Sequence, residues 1–248
     1  MGIKLFKTKG IVLRTVKYGE TSLVVTMFTE LFGIQSYLVN GVRKATKKGS
    51  GKANLFQPAA LLDLVVYHQE NKHLHRLKEF HWDHLYEGIF SDVTKNAIAL
   101  YMIELLTKCL RQPEENTPLF QFTEDCLLAL DQSDPSVRAN MALFFSLHLA
   151  YFFGISPRVI TDGEPYYFDL KESVIDSSMP THPLVAEGKA VEYCMELLSA
   201  RHPSELKEIK MNQEARRQVL QIMEQYYQLH IQDFTGLKTL PVLRAILQ

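Results

Sequence analysis

The stretch SLVVTMFTELFGIQSYLVNGV, residues 22–42, decides the fold of the first third of the chain. Its β-branched and aromatic residues form two runs, at 22–29 and 34–42, and such short runs bounded by turn residues are typical of β-strands. Glu30 to Gly33 lie between the runs and are suited to a turn. The stretch therefore predicts a β-hairpin.

Three more runs of the same kind flank the hairpin, at about 6–16, 60–68 and 73–82. The glycine of the first run, Gly10, is suited to a bulge or a tight bend. Five short strands within about eighty residues are typical of a small closed barrel such as the OB-fold. We therefore predict an N-terminal OB-fold domain over residues 1–82.

Apolar residues recur with a helical period after Trp82, which predicts a second, all-α domain over residues 83–248. Its expected helices lie at about 92–111, 117–130, 136–153, 183–201 and 212–234, with a short one after Pro241. A polar insertion at about 154–183 interrupts them and is expected to hold at most two short extended pieces. The fold class is thus a multidomain α+β protein.

Charge divides the chain at the same place. Residues 1–82 carry a formal charge of +8 and residues 83–248 one of −9, although the whole chain is at −1. A basic segment is suited to a polyanion, and an acidic one to solubility or to other proteins. An accidental distribution of charge is the alternative.

The densest basic feature is the segment RKATKKGSGK at residues 43–52, which we call the basic loop. Such a loop can follow a phosphate backbone without reading sequence, or can simply be solvated. It is not a nucleotide-binding P-loop, because Thr46 and Ala53 stand where that motif needs Gly and Ser or Thr. Tyr37 and Tyr18 are candidate platforms for base stacking, although strand aromatics more often fill a barrel. The candidate DNA-binding residues are Arg14, Lys17, Tyr37, Arg43, Lys44, Lys47, Lys48 and Lys52.

Other chemistry is weakly indicated. Histidines gather between His68 and His84 without any neighbouring cysteine, so surface histidines are expected rather than a zinc site. No nucleophile or metalloprotease motif occurs, and we predict a protein without catalytic residues, cofactor or metal. The cysteines at 109, 126 and 194 are spaced as buried thiols, and no apolar run is long enough for a membrane span.

Several ordered pieces of the chain resemble the DNA repair protein RecO family. They include GIVLR at residues 10–14, YGE at 18–20, FGISP at 153–157 and LKTL at 237–240. The resemblance implies a cytoplasmic, nucleoid-associated recombination mediator without membrane contact. It implies binding of single- and double-stranded DNA, annealing of complementary strands, and work with RecR in loading RecA.

The resemblance also implies a pocket in the helical domain for the C-terminal tail of single-strand-binding protein. Candidates for that pocket are Lys108, Arg111, Arg138 and Phe144, the last beside Leu143. Several relatives carry cysteine pairs in the insertion, whereas this chain has none there. We therefore predict an insertion that holds no zinc.

Two other functions remain open on the residues alone. The barrel could bind an acidic protein surface instead of nucleic acid, which would make the chain a protein-interaction adaptor. The other alternative is a cryptic nuclease with an active site that matches no known motif.

Overall fold

A computed structural model of the chain describes residues 4–43, 52–69, 72–160 and 163–246. Its N-terminal part is a closed five-stranded barrel with the strand order β1-β2-β3-β5-β4. The strands are β1 (Lys4–Tyr18), β2 (Ser22–Thr29), β3 (Gly33–Val39), β4 (Leu61–His68) and β5 (His75–His84), and a 3-10 turn (Lys52–Phe56) precedes β4. The OB-like barrel predicted from the sequence is confirmed.

The first strand closes the barrel because it pairs with two neighbours in turn. Its first half runs antiparallel to β4 and its second half antiparallel to β2, with an irregularity between Val12 and Arg14. Alternation along the strands places Val25 and Met27 in the interior, where neither side chain is exposed. Beyond the irregularity, β1 continues with β2 to Tyr18.

The helices of the chain are α1 (Val93–Cys109), α2 (Thr117–Gln132), α3 (Pro135–Leu149), α4 (Lys189–Ser199), α5 (Gln213–His230) and α6 (Leu240–Ile246). The start of α3 agrees with its predicted place, since the Asp134 side chain accepts hydrogen bonds from the N–H groups of Ser136 and Val137. The cysteines are buried free thiols, as predicted, and burial raises the pKa of Cys194 to about 12.

The chain forms two compact units that are not continuous in sequence. Residues 1–87 and 110–127 form the barrel unit, and residues 88–109 and 128–248 form the helical unit. The sequence predicts a division after Trp82, whereas contacts group most of α2 with the barrel. Its Phe120 ring lies 5.6 Å from that of Phe28, and Lys9 donates to Glu124 Oε1 at 2.8 Å.

The helical unit is not all-α, contrary to the prediction. The insertion forms a small sheet of order β6-β8-β7-β9, from β6 (Arg158–Val159), β7 (Tyr167–Asp169), β8 (Val174–Asp176) and β9 (Val185–Glu187). Four short strands thus replace the two extended pieces expected. Phe168 and Ile175 are fully buried, and the ring of Phe168 lies 5.3 Å from that of Tyr226 on α5.

Candidate nucleic-acid interface

The exterior of β1, β2 and β3 carries an ordered set of side chains, which we call the outer strand face. Its first row is polar: Arg14 lies opposite Thr26, which lies opposite Ser36. The hydroxyls of Thr26 and Ser36 are 3.2 Å apart, which places both on one face. Arg14 is exposed at the edge of this row.

The second row is apolar, and the third begins with an exposed tyrosine. Val16 lies opposite Val24, Val24 opposite Leu38, and Leu38 beside Arg76 of β5. Val16 is 44% exposed and Tyr18, one alternation further along β1, is 57% exposed. The outer strand face therefore combines accessible apolar surface with an arginine at each side, Arg14 and Arg76.

The beginning of the basic loop is fixed beside this face. The Arg43 N–H donates to the Thr21 carbonyl at 3.1 Å, and its Nη1 donates to the Gly19 carbonyl at 3.0 Å. Arg43 is thereby tied to the β1–β2 turn, directly after Tyr18. The predicted contacts Lys44, Lys47 and Lys48 follow it in sequence but lie outside the described residues.

The other two predicted cations take different positions. Lys17 pairs with Leu23, whose side chain is buried, so Lys17 points to the opposite side of the ribbon from Arg14. Lys52 is exposed and lies over the ring of Phe80 at 5.5 Å from its centroid. Sequence reasoning thus grouped Arg14 with Lys17, whereas the register separates them.

The prediction that Tyr37 is a stacking platform for bases is wrong. Its side chain is fully buried inside the barrel, opposite Val25, and burial raises the pKa of its hydroxyl above the usual value. An interior ring is out of reach of a strand bound outside. Tyr18, the other tyrosine considered, occupies the exposed position instead.

Within the helical unit, the structure does not bring together Lys108 and Arg138, two of the residues predicted for a protein-tail pocket. Arg138 donates to Asp92 Oδ2 at 2.6 Å just before α1, whereas Lys108 lies near the end of that helix, about 24 Å further along its axis. Lys108 contacts Phe234 and Thr235, and Phe144 is only 2% exposed. Arg111 groups with the barrel unit.

The histidines also differ from expectation, since His75 is buried, at 3% exposure, rather than on the surface. Its ring is stacked on that of His68. Burial lowers the pKa of His75, and the nearby His68 lowers it further. Within the described ranges, no group of three or more His, Cys, Asp or Glu is placed to hold a metal ion. The same ranges contain no helix with the length and apolarity that crossing a bilayer requires.

Comparison with known proteins decides the family. The model for the N-terminal part of recombination protein O matches residues 1–86, and the model for its C-terminal part matches residues 91–241. The chain belongs to the RecO family. The resemblance noted in the sequence is thereby confirmed.

Relatives within the RecO family match over nearly their full length. A protein of Bacteroides fragilis named DNA repair protein RecO is 35% identical, over 98% of this chain and 99% of the relative. Proteins of the same name from Christiangramia forsetii and Flavobacterium johnsoniae are 32% and 29% identical, over 98% and 97% of this chain and 99% and 98% of their own lengths. RecO membership supports a role in DNA repair and recombination, in a family of mediators not known as enzymes.

Proposed function

We propose that the chain is a recombination mediator that binds single-stranded DNA along the outer strand face and the basic loop. One observation carries the proposal: exposed Val16 and Tyr18 follow Arg14 on one face of β1, in a sheet that carries Arg76 on β5, beside the fixed start of a loop with five basic residues. Proteins that hold single strands combine cationic contacts to phosphates with apolar or aromatic contacts to bases.

The same contacts account for annealing without a catalytic step. Cations that neutralise phosphates reduce the repulsion between two complementary strands, so they can meet on one protein surface. Duplex DNA would be held through its phosphates alone. As part of this proposal, the helical unit binds the protein partners. These are RecR and the acidic tail of single-strand-binding protein, both during RecA loading.

The basic loop gives the direct test. Replacing Arg43, Lys44, Lys47 and Lys48 by alanine should weaken binding of a labelled single strand by more than tenfold at low salt. It should also reduce the slope of log K against log salt by about 3, at roughly 0.7 for each lost phosphate contact. Fluorescence anisotropy across a salt series measures both quantities.

A matched control removes four lysines from the helical unit: Lys171, Lys189, Lys207 and Lys210. The change in net charge is the same, but these residues are far along the chain from the loop, so affinity and salt slope should stay close to native. The proposal is wrong if the native chain binds no single strand at low salt, or if both quadruple variants weaken binding equally.

The adaptor function is separated by pull-down of RecR and of single-strand-binding protein, with and without nuclease treatment. Retention of partners together with no measurable DNA binding would favour the adaptor. Shortening of labelled DNA in the presence of divalent metals would instead indicate a nuclease.

A further inference from the structure

A cleft of about 450 Å³ opens beside the outer strand face, where the barrel is least tightly closed. Strands β3 and β5 pair in parallel at Tyr37 with His75 and at Leu38 with Arg76. The preceding part of β3, from Gly33 to Ser36, runs along the cleft instead. All of the cleft's lining residues belong to the barrel unit.

One wall of the cleft is a column of parallel rings. Phe32 and His68 are stacked with centroids 3.9 Å apart and planes 10° apart, and His68 is stacked on His75 at 4.7 Å and 15°. Phe6 meets Phe32 and His68 edge-on, at 5.2 and 6.1 Å, which holds both rings in place. The wall is therefore aromatic and fixed before any ligand arrives, and a flat ring face is left only at an end of the column.

The wall is suited to a neutral guest rather than to an anion. Burial and the neighbouring imidazole of His68 lower the pKa of His75, so its ring is uncharged near pH 7. A carboxylate, Glu115, also lies in the lining. The formal charges of Glu115 and Lys72 in the lining cancel, so the cleft offers an anion no net positive charge.

The rims of the cleft connect it to the outer strand face. The lining includes the hydroxyls of Thr26 and Ser36, which form the polar row of that face. It also includes Lys72, which is exposed, and Arg76 follows on β5. A guest in the cleft would therefore meet hydrogen-bonding groups and have cations nearby for its attached phosphates.

We propose that this cleft holds one unpaired base of single-stranded DNA, stacked on Phe32 at the end of the ring column that His68 and His75 continue. The inference rests on the proposed function, since the strand's backbone would lie on the outer strand face. A flat, neutral heterocycle with polar edges matches the wall and the rim, and its volume is within the range of small-molecule pockets. A base inside a duplex cannot enter, so the cleft selects single strands over duplexes.

The test compares a mixed-sequence single strand with an abasic strand of equal length and charge. The native chain should bind the base-containing strand about tenfold more tightly, which is typical of one stacked base. Phe32→Leu keeps an apolar side chain beside Phe6 but loses the flat ring. It should lower the ratio of the two dissociation constants severalfold, leaving the part that comes from Val16 and Tyr18, and leave the salt dependence on abasic DNA unchanged.

Phe122→Leu is the matched control, because it removes a half-buried ring from α2 in the same unit without touching the cleft. It should keep the native ratio. His68→Gln provides a second, independent loss of a ring, and circular dichroism verifies that each variant is folded. Tyr18→Leu reports whether the base preference comes from the outer strand face instead.

The outcomes are distinct. If the native chain binds neither strand, the proposed function fails together with this inference. If it binds both strands equally, or if Phe32→Leu and His68→Gln keep the native ratio, the base site alone is wrong. A ratio abolished only by Tyr18→Leu likewise overturns the cleft and retains the interface.

Discussion

Two arginines of the helical unit and two of the outer strand face are used in opposite ways. In the helical unit, Arg138 is bound to Asp92, and Arg216 donates from Nε to the Asn140 side chain at 3.0 Å. On the outer strand face, Arg14 and Arg76 have no acidic partner in the part of the chain that the structure describes. The same residue type therefore stabilises one unit internally and leaves the other with charge available to a ligand. Charge counts by themselves do not distinguish these uses.

The most disruptive test concerns the barrel's attachment to residues 110–127. Gly33 has φ +60°, and a Cβ there would lie 2.0 Å from the Glu114 carbonyl oxygen. We expect Gly33→Ala to lower the free energy of unfolding by about 3 kcal/mol, through backbone strain and displacement of that segment. Urea denaturation measures the loss.

Gly19→Ala is the matched control for this change. Gly19 has nearly the same φ, +58°, but a Cβ there meets nothing within 4 Å. Its loss should be about 1 kcal/mol, the strain alone. Equal losses at the two glycines would show that the contact with Glu114 is unimportant.

A buried asparagine gives the corresponding test of the helical unit. Asn140 is 1% exposed, and its amide donates to the carbonyls of Leu206 and Ile209 while its oxygen accepts from Arg216. Asn140→Ala leaves these groups without a partner and should cost about 2 kcal/mol of stability in urea. Affinity for single-stranded DNA should not change, and a parallel loss of affinity would break the proposed separation of roles.

Arginine and lysine on the two sides of β1 give a smaller, sharper contrast. Arg14→Ala removes a charge from the outer strand face and should reduce the salt slope of single-strand binding by roughly 0.7. Lys17→Ala removes the same charge from the opposite side of the ribbon. Anisotropy titrations should show a clearly smaller effect for Lys17, and the reverse order would place DNA on the other side.

The smallest expected effect is a pH dependence of stability. Because the pKa of His75 in the fold is below its unfolded value near 6.5, the unfolded chain takes up the proton first as pH falls. The contribution of neutral His75 to the free energy of unfolding is therefore fully present above pH 6.5. Below that pH it declines, by at most about 1.4 kcal/mol per pH unit.

The variant His75→Gln should flatten this part of the pH profile in urea denaturation. His148 in the helical unit keeps its own contribution in both proteins, since burial also lowers its pKa. The difference between the two profiles therefore reports His75. An unchanged profile would mean that His75 is protonated equally in the folded and unfolded chains.

Local pattern was enough to predict the barrel strands and most helices. The run at 22–29 matches β2, and the five strands close as expected, because strand and turn residues alternate clearly along this part of the chain. The strands of the insertion were missed because segments of two or three residues are too short to show a period. The placement of residues 110–127 was missed because it depends on contacts distant in sequence, such as Phe120 with Phe28.

The site was predicted less well than the fold, for reasons visible in β3. Apolar residues occupy both faces of this strand: Ile34 and Leu38 lie outside, and Tyr37 and Val39 lie inside. Alternation therefore could not show that Tyr37 is buried. The ring column was missed because Phe32, His68 and His75 come from three different segments. Only the closed barrel brings them together.

The return of residues 110–127 to the barrel unit has a consequence for how the molecule can be divided. The polypeptide passes from the barrel unit to the helical unit, back again, and then out a second time. A single cut near residue 87, where the two family models also divide, would strip the barrel of Phe120 and Glu124. Neither half is thus a module that one break or one gene fusion could transfer intact.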